Sequence, residues 1–123
     1  MKKIFYTTCL ATIFFACKKD AGDTSTPVIT LASPTDHQSF TAGQTVTISA
    51  SIADDGELHQ VHLYVNNKAT GAEILHLEEH LDQKSYNLNK TFTAQAGITY
   101  KIEIQANDHA ENEAKLELEV SGK

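Results

Sequence analysis

Three imidazoles, His59, His80 and His109, stand beside acidic, turn-forming stretches of this 123-residue chain. Asp54, Asp55 and Glu57 precede the first, Asp82 follows the second, and Asp108 and Glu111 flank the third. Neutral imidazole and carboxylate are the usual donors to a divalent transition ion such as Zn2+. Ca2+ takes oxygen donors and rarely recruits histidine. Folding is expected to bring the stretches 54–57, 107–113 and the turn after His80 to one end of the molecule, where the set could chelate. A plainer role stands beside this one. Asp and Asn at strand ends cap turns through their own backbone, and loop histidines are commonly solvated. His59 and His62 are three residues apart, so a regular strand would point them to opposite faces.

A second group follows from alternation. If Leu75 and Leu77 turn inward, His76 and Glu78 turn outward, beside His62 and Tyr64 on the adjacent strand, and Lys101, Glu103, Glu117 and Glu119 share that face. Solvation is the ordinary condition of such a face. Its functional alternatives are a partner-binding surface with Tyr64 as a handle, or a pH-responsive histidine pair. Catalytic signatures are missing from the sequence: no glycine-rich phosphate loop, nucleophile elbow or HExxH occurs. The paired carboxylates Asp54-Asp55 and Glu78-Glu79 are adjacent, so on strands they face apart. The chain reads as a non-enzyme.

The elements that must position these residues are strands. In Thr45–Asn67, Val46, Ile48, Ala50 and Ile52 alternate with polar or small residues, Asp54-Asp55-Gly56 interrupts, and Val61, Leu63 and Val65 resume the alternation. This predicts two half-buried strands joined by a turn. Pro27–Ala32 predicts a short edge strand, and Gln38–Thr41 lies between turn clusters. Ala72–His80 fits a helix face nearly as well as a strand; its shortness and strand neighbours favour the strand. Tyr86, Leu88 and Phe92 mark the next strand, after a turn at 82–85. Tyr100, Ile102, Ile104 and Ala106 mark another, and Leu116, Leu118 and Val120 the last. About seven short strands, each with one apolar face, are buried most simply as two antiparallel sheets packed face to face.

Pro27-Val28, the Ser33-Pro34 turn, Ala42-Gly43, Ile52–Gly56, Val61–Asn66, Gly97–Tyr100 and Ala106–Asp108 resemble the Ig-like modules of exported bacterial proteins. More narrowly, they resemble a family of single-domain Ig-like lipoproteins of unknown function. The resemblance runs from Pro27 to Val120 and implies an all-β, immunoglobulin-like sandwich over 27–123, with Tyr100 at the position of a corner tyrosine. It implies no particular activity, because such modules serve as adhesins, spacers and ligand binders.

At the start of the chain, Lys2-Lys3 and the apolar run Ile4–Ala16 have the layout of a secretory signal, too short to span a bilayer. Ala16-Cys17 resembles a bacterial lipoprotein cleavage site, although Phe14 and Phe15 stand where such signals usually carry Leu and a small residue. Residues 1–16 would be removed, Cys17 lipidated, and 17–26 left as a flexible tether whose Lys18-Lys19-Asp20 resembles the start of outer-membrane lipoproteins. An ordinary signal cut elsewhere, or an uncleaved anchor, is the alternative. With Cys9 discarded and Cys17 acylated, the domain has no cysteine and relies on its core alone. The formal charge of −6 and the absence of arginine argue against nucleic acid. The expectation is a monomeric, non-catalytic Ig-like module anchored in the envelope of a Gram-negative bacterium, at the outer membrane, facing an envelope protein or glycan. Its alternative is a divalent-metal-binding envelope protein that uses the loop histidines and acids.

Overall fold

Alternation becomes strand throughout the residues that the computed structural model describes, 24–123. The signal segment 1–16, Cys17 and the tether as far as residue 23 lie outside the described residues. The strands are β1 (Val28–Ser33), β2 (Gln38–Phe40), β3 (Thr45–Asn67), β4 (Glu73–Thr93), β5 (Thr99–Asp108) and β6 (Glu113–Gly122). The segment 72–80, open between helix and strand in the sequence, forms the start of β4 and pairs antiparallel with β3.

Among the described residues six strands stand where about seven were expected: two expected turns are not turns, which merges four expected strands into two, and Gln38–Phe40 adds one. β3 runs without interruption through Asp54-Asp55-Gly56, and β4 runs through 82–85. Ala53 pairs with Ser85 and Leu58 with Gln83, so four residues of β3 face the single residue Lys84 of β4. This one-sided surplus is a bulge, which bends a strand and re-aims the residues beyond it. Asp54 caps it: the Gly56 N–H donates to Asp54 Oδ2 at 2.9 Å. β3 and β4 therefore pass together from one layer of the sandwich into the other. The first half of β3 pairs with β1 and with residues 85–93 of β4. The second half pairs with residues 73–83 of β4 and with β5, which continues to β6 and β2.

A further departure is β2. It pairs with β6 in parallel, Gln38 with Val120, Ser39 with Ser121 and Phe40 with Gly122, in a sandwich otherwise antiparallel. Gly122 is required there, because a Cβ would overlap the Gln95 carbonyl oxygen. At the β3–β4 turn, Gly71 takes the left-handed conformation (φ +74°) and its N–H donates to the Asn67 carbonyl at 2.7 Å.

One core fills the space between the layers. Val46, Ile48, Ile52, Leu58, Val61, Leu63 and Val65 of β3 meet Leu88 and Phe92 of β4, Tyr100, Ile102 and Ile104 of β5, and Leu118 and Val120 of β6. Aliphatic side chains dominate it, so apolar burial is its main favourable term. Tyr100 is the buried corner tyrosine: its ring meets Phe92 edge-on at 4.8 Å, and the Gln95 N–H donates to its hydroxyl oxygen at 2.9 Å.

Candidate metal centres and binding face

The bulges decide where the imidazoles go. Leu58 and Val61 are both buried although three apart, because β3 is irregular at His59: Leu58 pairs with Asp108 and Gln60 with Asn107. The extra residue breaks period two, and His59 and His62 both lie off the core side, contrary to the expectation for a regular strand.

The loop end gathers part of the expected set. His109 Nε2 lies 2.9 Å from Asp82 Oδ1, and the His109 N–H donates to the Glu57 carbonyl at 3.2 Å. The His59 ring stands 4.6 Å from that of His109 and 6.0 Å from that of His80. Donor atoms of Glu57, Asp82 and His109, all exposed, lie within 4.8 Å of one another. Asp54 and Asp108 stand apart from this group. Both are buried, and their carboxylates serve the backbone: Asp54 caps Gly56, while Asp108 accepts from the Asn112 N–H at 2.9 Å and from Asn112 Nδ2 at 2.8 Å. A carboxylate holding a turn together is poorly placed to leave it for an ion. Asp55 accepts from Ser25 Oγ at 2.6 Å. Of the carboxylates that the sequence placed at this end, Glu57 and Asp82 are the ones whose donors reach His109. Their convergence depends on the bend in β3 and β4.

The second group lies on the outer face of the layer built on the second half of β3. His62 pairs with Glu78 and Tyr64 with His76 across β4, while Gln105 and Glu103 oppose them on β5. Tyr64 and His76 stack at 4.6 Å, His62 and Tyr64 at 5.8 Å, and His62 and His76 at 6.3 Å. The Tyr64 hydroxyl is 3.3 Å from His62 Nδ1, and Glu78 Oε1 is 3.3 Å from His80 Nε2. Donors of His62, His76 and Glu78 lie within 4.8 Å of one another. The outward set read from alternation is thus adjacent in register. That these residues also form a donor triad was not legible, since alternation gives the face of a residue and not its neighbour across the ladder.

The same layer carries ion pairs further along. Lys115 Nζ lies 3.0 Å from Glu117 Oε1 and 3.3 Å from Glu103 Oε1, and Lys101 Nζ lies 3.3 Å from Glu117 Oε1. Hydrogen bonding from Lys115, then Lys101, holds the Glu117 carboxyl below its ordinary value, and bonds to Glu117 and Glu103 raise Lys115. At the junction of the layers, burial pushes the Tyr86 phenol up, with the Glu79 charge adding to it.

Two layers sharing one aliphatic core, a strand pair that crosses between them and a buried corner tyrosine define an immunoglobulin-like β-sandwich. The chain belongs to the bacterial Ig domain family, which it matches over residues 27–116. Comparison with curated proteins gives no match. The chain is similar to the fibronectin(III)-like modules of Clostridium thermocellum CbhA, at 19% identity and a TM-score of 0.51 over 80% of this chain and 47% of that one. It therefore spans about half the length of that structure. It is also similar to the superoxide reductase (neelaredoxin) of Ignicoccus hospitalis, at 10% identity and a TM-score of 0.56 over 80% of this chain and 81% of that one. At these identities the likeness establishes the fold alone. Bacterial Ig domains are commonly extracellular or surface-exposed, and folds of this kind typically serve non-catalytic interaction.

Proposed function

We propose that the protein is a monomeric interaction module of the bacterial cell envelope, lipidated at Cys17 after removal of residues 1–16, held at the outer membrane, and presenting the face around Tyr64 to an envelope protein or glycan. The observation that carries the binding face is the stack of Tyr64 and His76 at 4.6 Å, with His62 beside it, on paired strands. Rigid aromatic and imidazole rings give contact area at small entropic cost, and tyrosine is enriched where proteins bind partners. The anchor is supported by the n-region, the short apolar run and Ala16-Cys17.

Two experiments test this reading. Replacing Cys17 with Ser should move the protein from the membrane to the soluble fraction of the producing cell; continued membrane retention sinks the anchor. A photo-crosslinker in place of Tyr64 should capture a defined envelope partner, while one in place of Thr47, on the other layer, should not. Equal capture from both positions removes the binding face.

A second reading rests on the loop end. The contact between His109 and Asp82, with Glu57 in reach and His59 beside it, favours a divalent-metal site there. Zn2+ titration of Asp82→Ala/His109→Ala should show one site fewer than the unaltered chain.

A further inference from the structure

We infer that the outer sheet face itself holds a divalent transition metal of the Zn2+ type, bound by His62, His76 and Glu78 and steadied by Tyr64. This goes beyond the loop site and needs neither the anchor nor a macromolecular partner.

Backbone geometry carries the inference first. His62 and Glu78 are direct cross-strand neighbours on β3 and β4, and His76 is the next outward residue of β4, diagonal to His62. Direct pairs place their Cβ atoms about 5 Å apart and diagonal pairs about 7 Å, within the reach of imidazole and carboxylate. β3 is hydrogen-bonded on both sides here, to β4 and to β5. The ladder thus fixes the spacing of the three donors before any ion arrives, and little ordering cost remains for binding. The loop cluster differs, because Glu57 lies in the bulge of β3 and His109 follows the end of β5, so no regular ladder spaces these donors.

Side-chain geometry points the same way. Zn–N and Zn–O bonds of about 2.0–2.2 Å put two tetrahedral donors on one ion about 3.3 Å apart. The donors of this group already lie within 4.8 Å of one another, so side-chain rotation is enough to close the site. The Tyr64 hydroxyl engages His62 Nδ1, the kind of outer contact that orients a ligating imidazole and leaves its other nitrogen for the ion. The Glu78 carboxylate also lies beside His80, Oε1 at 3.3 Å from Nε2. Two imidazoles and one carboxylate select a borderline ion over Ca2+ or Mg2+, and three protein donors leave a fourth position for water.

The test is calorimetric titration of Zn2+ into the chain purified without a histidine tag. In Asp82→Ala/His109→Ala, one equivalent should still bind. Adding His62→Ala and His76→Ala to that variant should weaken this equivalent at least tenfold, and Tyr64→Phe alone should weaken it several-fold. In the unaltered chain, Zn2+ should shift the imidazole nitrogen resonances of His62 and His76, a readout independent of how the variants fold. Four outcomes are decisive. If Asp82→Ala/His109→Ala binds nothing while the unaltered chain binds, the sheet-face site falls and the loop site stands. If the His62 and His76 changes leave binding intact, or their resonances do not move, the sheet-face site also falls. An unaltered stoichiometry in the loop variant removes the loop reading alone. Absence of binding to the unaltered chain removes both.

Discussion

From Thr45 to Ala53, β3 turns Val46, Ile48, Ala50 and Ile52 inward, with Thr45, Thr47, Ser49 and Ser51 in the alternate positions. From Leu58 to Asn67 it turns Leu58, Val61, Leu63 and Val65 inward and His59, His62 and Tyr64 outward, His59 exposed and the other two half-buried. Neighbours extend the contrast. Thr47 pairs with Thr91, Ser49 with Asn89 and Ser51 with Asn87, so the first layer is faced with neutral hydroxyls and amides. The second layer is faced with imidazoles, carboxylates and lysines. One strand thus meets the same packing demand twice and carries two different exteriors. Packing constrains the inner row of each half to apolar residues of compatible volume, and it leaves the outer row free to carry chemistry.

The strongest way to break this comparison is through the core. Ile48→Ala and Leu63→Ala, one in each half, should each cost about 2–5 kcal/mol. Urea unfolding should remain a single transition in both, with the slope of the unaltered chain. Separate transitions for the two halves would mean two cores instead of one. A smaller effect sharpens the exterior half of the argument. Thr47→Ala and His62→Ala should each stay within about 0.5 kcal/mol of the unaltered chain when metal is absent. Added Zn2+ should then raise the melting temperature of Thr47→Ala and raise that of His62→Ala much less, because an ion that binds only the folded state stabilises it. Equal shifts would erase the chemical difference between the halves.

The smallest effect is one of pH. The Glu117 carboxyl is depressed in the folded state by hydrogen bonds from Lys115 and Lys101. Its contribution is therefore present above the ordinary carboxylate range and lost as pH falls through the depressed value. Glu117→Gln should melt slightly below the unaltered chain at neutral pH and converge with it in acid. A gap that persists or widens in acid would assign the difference to something other than this charge.

Much of this contrast is legible in the residues themselves. TVTISAS and NLNKTFT announce a neutral exterior as plainly as HQVHLY and HLEEH announce an imidazole-rich one, because period two separates inside from outside without any partner. Tyr100 is recognisable as a corner residue by a different route, through its place in the resemblance. What stayed hidden depends on register and on bulges. Asp-Asp-Gly serves a turn and a bulge equally well, so the passage of β3 between layers looked like its end. The same ambiguity made Asp54 and Asp108 look like donors for a metal when each carboxylate was to hold its own backbone. The extra residue at His59 turns both His59 and His62 off the core side, and no count along one strand could show it.

The short ladder between β2 and β6 has a mechanical consequence. Because these strands run parallel, a pull entering β2 from its start and leaving through the end of β6 drags them lengthwise past each other. The residue pairs at Gln38, Ser39 and Phe40 are then loaded together, in shear, where an antiparallel edge would unzip one rung at a time. Once β1 is drawn away from β3, a pull along the chain reaches this ladder, and a strand of only three residues carries the load.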